Sequence, residues 1–377
     1  MKRIVALDML RGYALVCIML DHMPIGMLRN LTLTNFSVFD AAELFVLLSG
    51  FLVGMVWVRI EAREGRRAAQ LRFLRRSAQV WLALIVGAVL LALFSALLFR
   101  LQLNHTAVWF QYARWIVEHP VGYLATVALM WMQPNLLDVL ALYVLLIATV
   151  PVMVPFLLRW PWLAVTISVT IWAFAEPLNA LIPNQRPGSG LLFNPFGWQM
   201  LFFAGVAMGA FRDRVMPVLR RHSSLLTWIS SGVLLFSLSI VIAWKIGPAA
   251  KPVSQVLRQV TGGIDKWSLD FMRFIAILAA SWMAAVPLAR PLAWLAGTAP
   301  GEALAEIGRG GLFSFILCVM LSIWGDALDM TVAPGPANPW LRLAIDIWLV
   351  TAFWAVAALW MRRKSWLPPL RARLGLG

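Results

Sequence analysis

Charge is scarce in this chain. Only 13% of its 377 residues are Asp, Glu, Lys or Arg, about half the share of a soluble domain. That shortage excludes an ordinary soluble enzyme or binding module. Cysteine is scarcer still. Cys17 and Cys318 both sit inside apolar runs, so neither a disulfide framework nor a cysteine-based metal site is implied. Acidic residues number 17 against 32 basic ones. The resulting positive charge is not a nucleic-acid signal, because the basic residues fall in short segments between apolar runs.

What is abundant is hydrophobic sequence, 61% of the chain. Runs of about 20 apolar residues recur, each able to cross a bilayer as a helix. The fold class expected is an all-α polytopic membrane protein in a single domain, 1–377, with membrane lipid as its surroundings. Ten spans are predicted at 8–28, 38–58, 77–99, 136–158, 161–181, 196–211, 225–245, 270–289, 310–328 and 341–361. The apolar stretch 121–133 is short and reads as interfacial or re-entrant. No strong internal repeat is visible, and Pro-rich stretches at 183–195 and 333–339 read as outer loops. Asp21 and His22 interrupt the first apolar run, and no small-residue cleavage site follows. It is therefore expected to be a span and not a cleavable signal.

The basic residues orient the spans. Seven arginines lie in Arg59–Arg76 and four in Arg212–Arg221, with five basic residues after position 361. These clusters place both termini and the 59–76 loop in the cytoplasm.

Ionisable groups inside such spans are costly and point to function. The first span carries Asp8, Arg11, Asp21 and His22. Arg11 and His22 are eleven residues apart, close to three whole turns. They share one face, about 16 Å apart along the axis. Asp40 and Glu43 open span two three residues apart, so they too share a face. Asp138, Glu176 and Gln199 lie at similar outer depth on spans four, five and six. An inner layer holds Asp8, Arg11, Ser49–Gly50 on span two and Gly308-Arg309-Gly310-Gly311 at the start of span nine.

Each group also has a plainer reading. Asp8 with Arg11 makes a local i,i+3 pair, and His22 serves as a hydrogen-bonded packing residue. Asp40 is a charge favoured at a helix N-terminus. Glu176 is interfacial, and the glycines allow close helix packing. The aromatic stretch Arg100–Tyr123, with Trp109, Phe110, Tyr112 and Trp115, reads as a membrane anchor or as a sugar-stacking surface.

RGYALVCIMLDH resembles the Arg-x10-His signature of membrane acyltransferase-3 proteins. More closely, DMLRGYALVCIMLDH, LTLTNF with DAAELFVLLSGF, LLDVLALYVLL and FNPFGWQMLFFAGVAMG resemble the OpgC family. Those proteins are succinyltransferases of osmoregulated periplasmic glucans. The resemblance implies a bacterial inner-membrane enzyme. It would carry an acyl group from cytoplasmic acyl-CoA, with no metal, to a hydroxyl of a periplasmic glucan or other glycan.

In that reading His22 is the general base or carries the acyl group as an acyl-imidazole, with Glu43 or Asp40 orienting its imidazole and Asp21 ranked behind them. Arg11 and the basic inner segments meet the phosphates of the donor. Asp8, Ser49, Gly50, Arg309, Asp138, Glu176 and Gln199 complete the candidate binding residues. A His-Ser pair common in similar proteins near span nine is replaced here by Gly308-Arg309-Gly310-Gly311, which leaves acyl group and acceptor open. A second reading is a proton-coupled transporter, in which Asp8, Arg11, His22 and Glu43 form a relay. Oligomeric state is not legible.

Overall fold

A computed structural model describes residues 5–183, 190–247, 255–256, 264–332 and 338–373. Of the two Pro-rich stretches, 184–189 and 333–337 lie outside these residues. All regular structure described is helical. The helices are α1 (Val5–Asp21), α2 (Ala41–Glu64), α3 (Arg66–Arg100), α4 (Ala107–Glu118), α5 (Pro120–Ala128), α6 (Asp138–Arg159), α7 (Pro161–Ala173) and α8 (Ala175–Ala180). They continue with α9 (Pro195–Ala210), α10 (Arg212–Arg221), α11 (Ser223–Ile246), α12 (Phe271–Ala285), α13 (Ala289–Ala296), α14 (Ala299–Arg309), α15 (Leu312–Val332) and α16 (Pro339–Arg373).

Six of the described helices, α2, α3, α6, α11, α15 and α16, are long and apolar enough to cross a membrane. The broken pair α12–α13 is a seventh only if counted as one span. The other expected spans are shorter helices: α1 has 17 residues, α9 has 16 and α7 has 13. The first run ends as a helix at Asp21, seven residues before the expected boundary. Expected span five is divided between α7 and α8.

Two expected loops are helical. The basic segment 59–76 consists of the end of α2 and the start of α3, meeting at Gly65, whose φ of +84° suits glycine. The aromatic stretch 100–123 is mostly α4 and the start of α5. Trp109 and Tyr112 are buried there, so packing inside the protein, and not sugar stacking, occupies both rings.

The chain divides into two compact units. Unit one comprises 1–32, 94–110 and 290–377, and unit two comprises 33–93 and 111–289. In unit one, α1 crosses α14 with almost no side chain between them. A Cβ on Gly12 would overlap the Leu304 carbonyl, and one on Gly308 would overlap the Asp8 carbonyl. Small residues thus bring the two backbones together. Met9, Ala296 and Ala305 form the adjoining core. On another side α1 meets α15, where Cys318 Sγ donates to Leu15 O (3.3 Å) and Ser322 Oγ to Met19 O (3.4 Å). Both cysteines are buried and neither forms a disulfide among the described residues.

Unit two repeats the small-residue device between α2 and α9. A Cβ on Gly50 would overlap Phe202 O, and one on Gly205 would overlap Leu47 O. In α6, Pro155 removes the N–H that would serve the Pro151 carbonyl. Gln70 Nε2 of α3 donates to that carbonyl instead (3.0 Å), satisfying a backbone group that lipid cannot serve.

Candidate functional site

The two units divide the candidate residues. Unit one holds Asp8, Arg11, Asp21, His22 and Arg309. Unit two holds Asp40, Glu43, Ser49, Gly50, Asp138, Glu176 and Gln199.

At one end of α1, Asp8 pairs with Arg309 (3.6 Å) across the Gly12–Gly308 crossing. Asp8 is buried, and Arg11 and Arg309 are half-buried. Absence of side chains at the crossing brings Asp8 of α1 within reach of Arg309 of α14. Arg11 is the neighbouring cation, one turn along α1.

His22 follows the last residue of α1 and is exposed. Its Nδ1 lies 2.7 Å from the Ile18 carbonyl. A carbonyl can only accept, so Nδ1 donates and the neutral ring keeps its acceptor lone pair on Nε2. The local reason is the end of the helix. Carbonyls of the last turn lack intrahelical partners, and a histidine four residues on supplies one. The next segment is tied back: Thr32 Oγ1 donates to Asp21 Oδ1 (2.6 Å), and Leu28 N donates to Asp346 Oδ2 of α16 (2.7 Å).

In unit two, Asp40 and Glu43 form a capping box on α2. Asp40 Oδ1 accepts from Ala42 N (2.8 Å), and Glu43 Oε2 accepts from Asp40 N (3.0 Å). Their remaining oxygens meet cations. Lys266 Nζ lies 2.6 Å from Asp40 Oδ2, and the Arg273 guanidinium contacts Asp40 Oδ2 (3.4 Å) and Glu43 Oε1. All four carboxylate oxygens therefore have partners inside unit two. In unit one, the partner of His22 Nδ1 is the Ile18 carbonyl.

Lys266 lies over Phe193 (5.7 Å) and Trp267 (5.6 Å). Burial pushes the Lys266 ammonium down, but Asp40 and Glu43 beside it outweigh burial and hold it above its usual range. The turn that presents it is tied by Asp265, which accepts from Trp267 N (3.1 Å) and Ser268 N (2.7 Å). It closes with Leu269 at φ +59°.

The other candidates in unit two have varied surroundings. Gln199 joins α9 to α7 through two hydrogen bonds with Ser168, at 2.7 and 2.8 Å. Gly50 is filled by the α9 backbone and Ser49 is buried next to it. Asp138 is buried and accepts from Val139 N (2.9 Å). Glu176 is exposed.

Sequence reasoning passed over Lys266 and Arg273, and it passed over three buried aspartates of unit one, Asp326, Asp329 and Asp346. The signal was present. GDALDM and AIDIW set carboxylates inside apolar runs, the same cost argument that singled out His22.

Among curated proteins, none matches the chain. The OpgC protein family matches residues 3–365, nearly the whole chain. The motifs on α1, α2, α6 and α9 that carried the resemblance are thus part of a match that runs through both units, and the chain belongs to the OpgC family.

Proposed function

We propose that this protein is a transmembrane O-acyltransferase. It moves an acyl group, succinyl by the family resemblance, from cytoplasmic acyl-CoA to a hydroxyl of a periplasmic glucan. Family membership points to an acyltransferase and does not favour the transporter reading. The observation that supports the mechanism is the His22–Ile18 hydrogen bond: with Nδ1 as the donor, the neutral ring carries its lone pair on Nε2.

In the proposed reaction, Nε2 takes the proton of the attacking hydroxyl as its oxygen bonds to the thioester carbon. The carbon–sulfur bond then breaks, and the thiolate of CoA takes up the proton from His22. Ile18 O stabilises the imidazolium through Nδ1–H, the part an acid plays in a triad. Donation from Nδ1–H to a carbonyl fixes the tautomer, as donation to a carboxylate does, with less charge stabilisation.

Arg11 and Arg309 are the donor-binding cations in this reading. Eleven residues of helix separate Arg11 from His22, about 16 Å, comparable to an extended pantetheine arm. Asp8 sets the position of Arg309. A guanidinium suits phosphate through its fork of N–H donors. The proposed setting is the bacterial inner membrane, which the family resemblance implies, with both termini cytoplasmic, which the arginine-rich segments support.

The test is transfer by the purified protein in lipid vesicles, with succinyl-CoA and acetyl-CoA each offered alongside a glucan oligosaccharide. Ester formation on the sugar supports the proposal. A protein that moves glucan or CoA unchanged and forms no ester contradicts it.

A further inference from the structure

Asp326 and Asp329 on α15 and Asp346 on α16 are 1%, 0% and 0% exposed. They lie beside the segment that follows His22. A Cβ on Gly325 would come 2.6 Å from Met23 Sδ, and one on Gly26 would come 2.9 Å from Asp346 Oδ1. Asp346 Oδ2 accepts from Leu28 N (2.7 Å). Asp326 Oδ2 accepts from Thr106 N and Thr106 Oγ1, both at 2.7 Å.

The remaining four oxygens are different. Asp326 Oδ1, Asp346 Oδ1 and both oxygens of Asp329 are buried and accept no hydrogen bond. Asp329 lies near enough to Asp346, Arg342 and Asp326 for their charges to act on its carboxylate. Buried acceptors without donors are costly and rarely left so. What is missing is a group that donates hydrogen bonds.

A metal ion is a poor fit, because among the described residues no group of three or more His, Cys, Asp or Glu has metal-binding geometry. An organic cation meets Arg342 beside the acids. A sugar hydroxyl suits both charges, since it donates to a carboxylate and accepts from a guanidinium.

We propose that Asp326, Asp329 and Asp346 recognise hydroxyls of the glucan acceptor, holding a sugar edge beside His22. This rests on the acyltransferase reading and adds its acceptor subsite. The aspartates are positioning residues; the proton of the reacting hydroxyl still goes to His22.

The experiment uses the full chain in lipid nanodiscs, with a glucan oligosaccharide as probe. Calorimetric titration measures its binding to wild type, Asp329→Asn and Asp326→Asn. Thermal unfolding and succinyl-CoA binding are measured beside it. Asparagine keeps the shape and turns one acceptor into a donor. Asp326→Asn keeps an acceptor for Thr106 and serves if Asp329→Asn does not fold.

The expected result is at least a tenfold loss of oligosaccharide affinity, with donor affinity and thermal midpoint retained. In turnover, KM for the glucan rises tenfold while kcat stays within about threefold. Wild-type affinity in a folded Asp329→Asn or Asp326→Asn protein overturns the proposal. So does saturable calcium binding to wild type that Asp329→Asn abolishes, which marks a cation site. Ester formation by wild type with unchanged glucan KM in the variants removes this subsite and leaves the acyltransferase reading standing. Oligosaccharide binding that the variants lose, without ester formation by wild type, does the reverse. Wild type that neither binds nor modifies the oligosaccharide overturns both.

Discussion

The Nδ1 of His22 donates to the carbonyl of Ile18, one turn back on the same helix, at 2.7 Å. The contact makes the end of α1 both a helix terminus and a tautomer selector. Replacing His22 with alanine is therefore expected to cost 10²–10⁴-fold in transfer rate, the usual worth of a positioned base. The protein should still insert and fold, because the side chain is exposed. Initial rates with wild type and His22→Ala at equal protein level check this. Equal rates remove His22 from the chemistry.

At the other end of α1, Arg11→Ala is expected to raise the KM for acyl-CoA about tenfold and leave the KM for glucan unchanged. One well-placed charged hydrogen bond is worth that order. Separate titrations of donor and acceptor decide it. A change confined to the glucan KM counts against the phosphate role.

In unit two, Arg273→Met removes the cation buried against Glu43, which is 0% exposed, and Asp40. Breaking a buried pair from one side costs about 3–5 kcal/mol. Thermal unfolding in detergent should show a clear loss for Arg273→Met. The double variant with Glu43→Leu should be more stable than Arg273→Met alone. No recovery in the double variant shows that the two charges are not coupled.

His105 supplies a pH prediction. It is 5% exposed, and its Nε2 is 2.7 Å from Ser95 Oγ. Burial pushes its imidazole below the ordinary range. The unfolded chain thus takes a proton more readily than the folded one. The stability His105 contributes is present above its unfolded pKa of about 6.5 and is lost as pH falls below it. His105→Gln removes that titration. Thermal midpoints between pH 7.5 and 5 should fall less steeply for this variant, and equal slopes contradict the assignment.

Much of this was legible in the sequence because the membrane penalises charge. The cost of Arg11 and His22 inside an apolar run marks α1 without any structure, and the match of ELFVLLSGF with it points to the family. Asp40 was legible as an N-terminal helix charge, and the capping box with Glu43 bears that out. The partners of these groups were not legible. Arg273 lies 230 residues from Glu43, and only folding brings α12 to the start of α2. Gln199 stood out because a polar group at depth is costly, and the Ser168 partner on α7 that meets this cost was not legible. The end of α1 was misplaced for a local reason. Composition continues apolar through Met23, Ile25 and Met27, whereas the backbone leaves the helix after Asp21. Gly308 was ambiguous between ligand passage and packing, and the α1 backbone fills the space.

The most direct test of the central claim is mass spectrometry of periplasmic glucans from cells with wild-type protein, His22→Ala and no protein. The account predicts an acyl mass increment with wild type alone, and its size names the acyl group. Identical glucan masses in all three would contradict it.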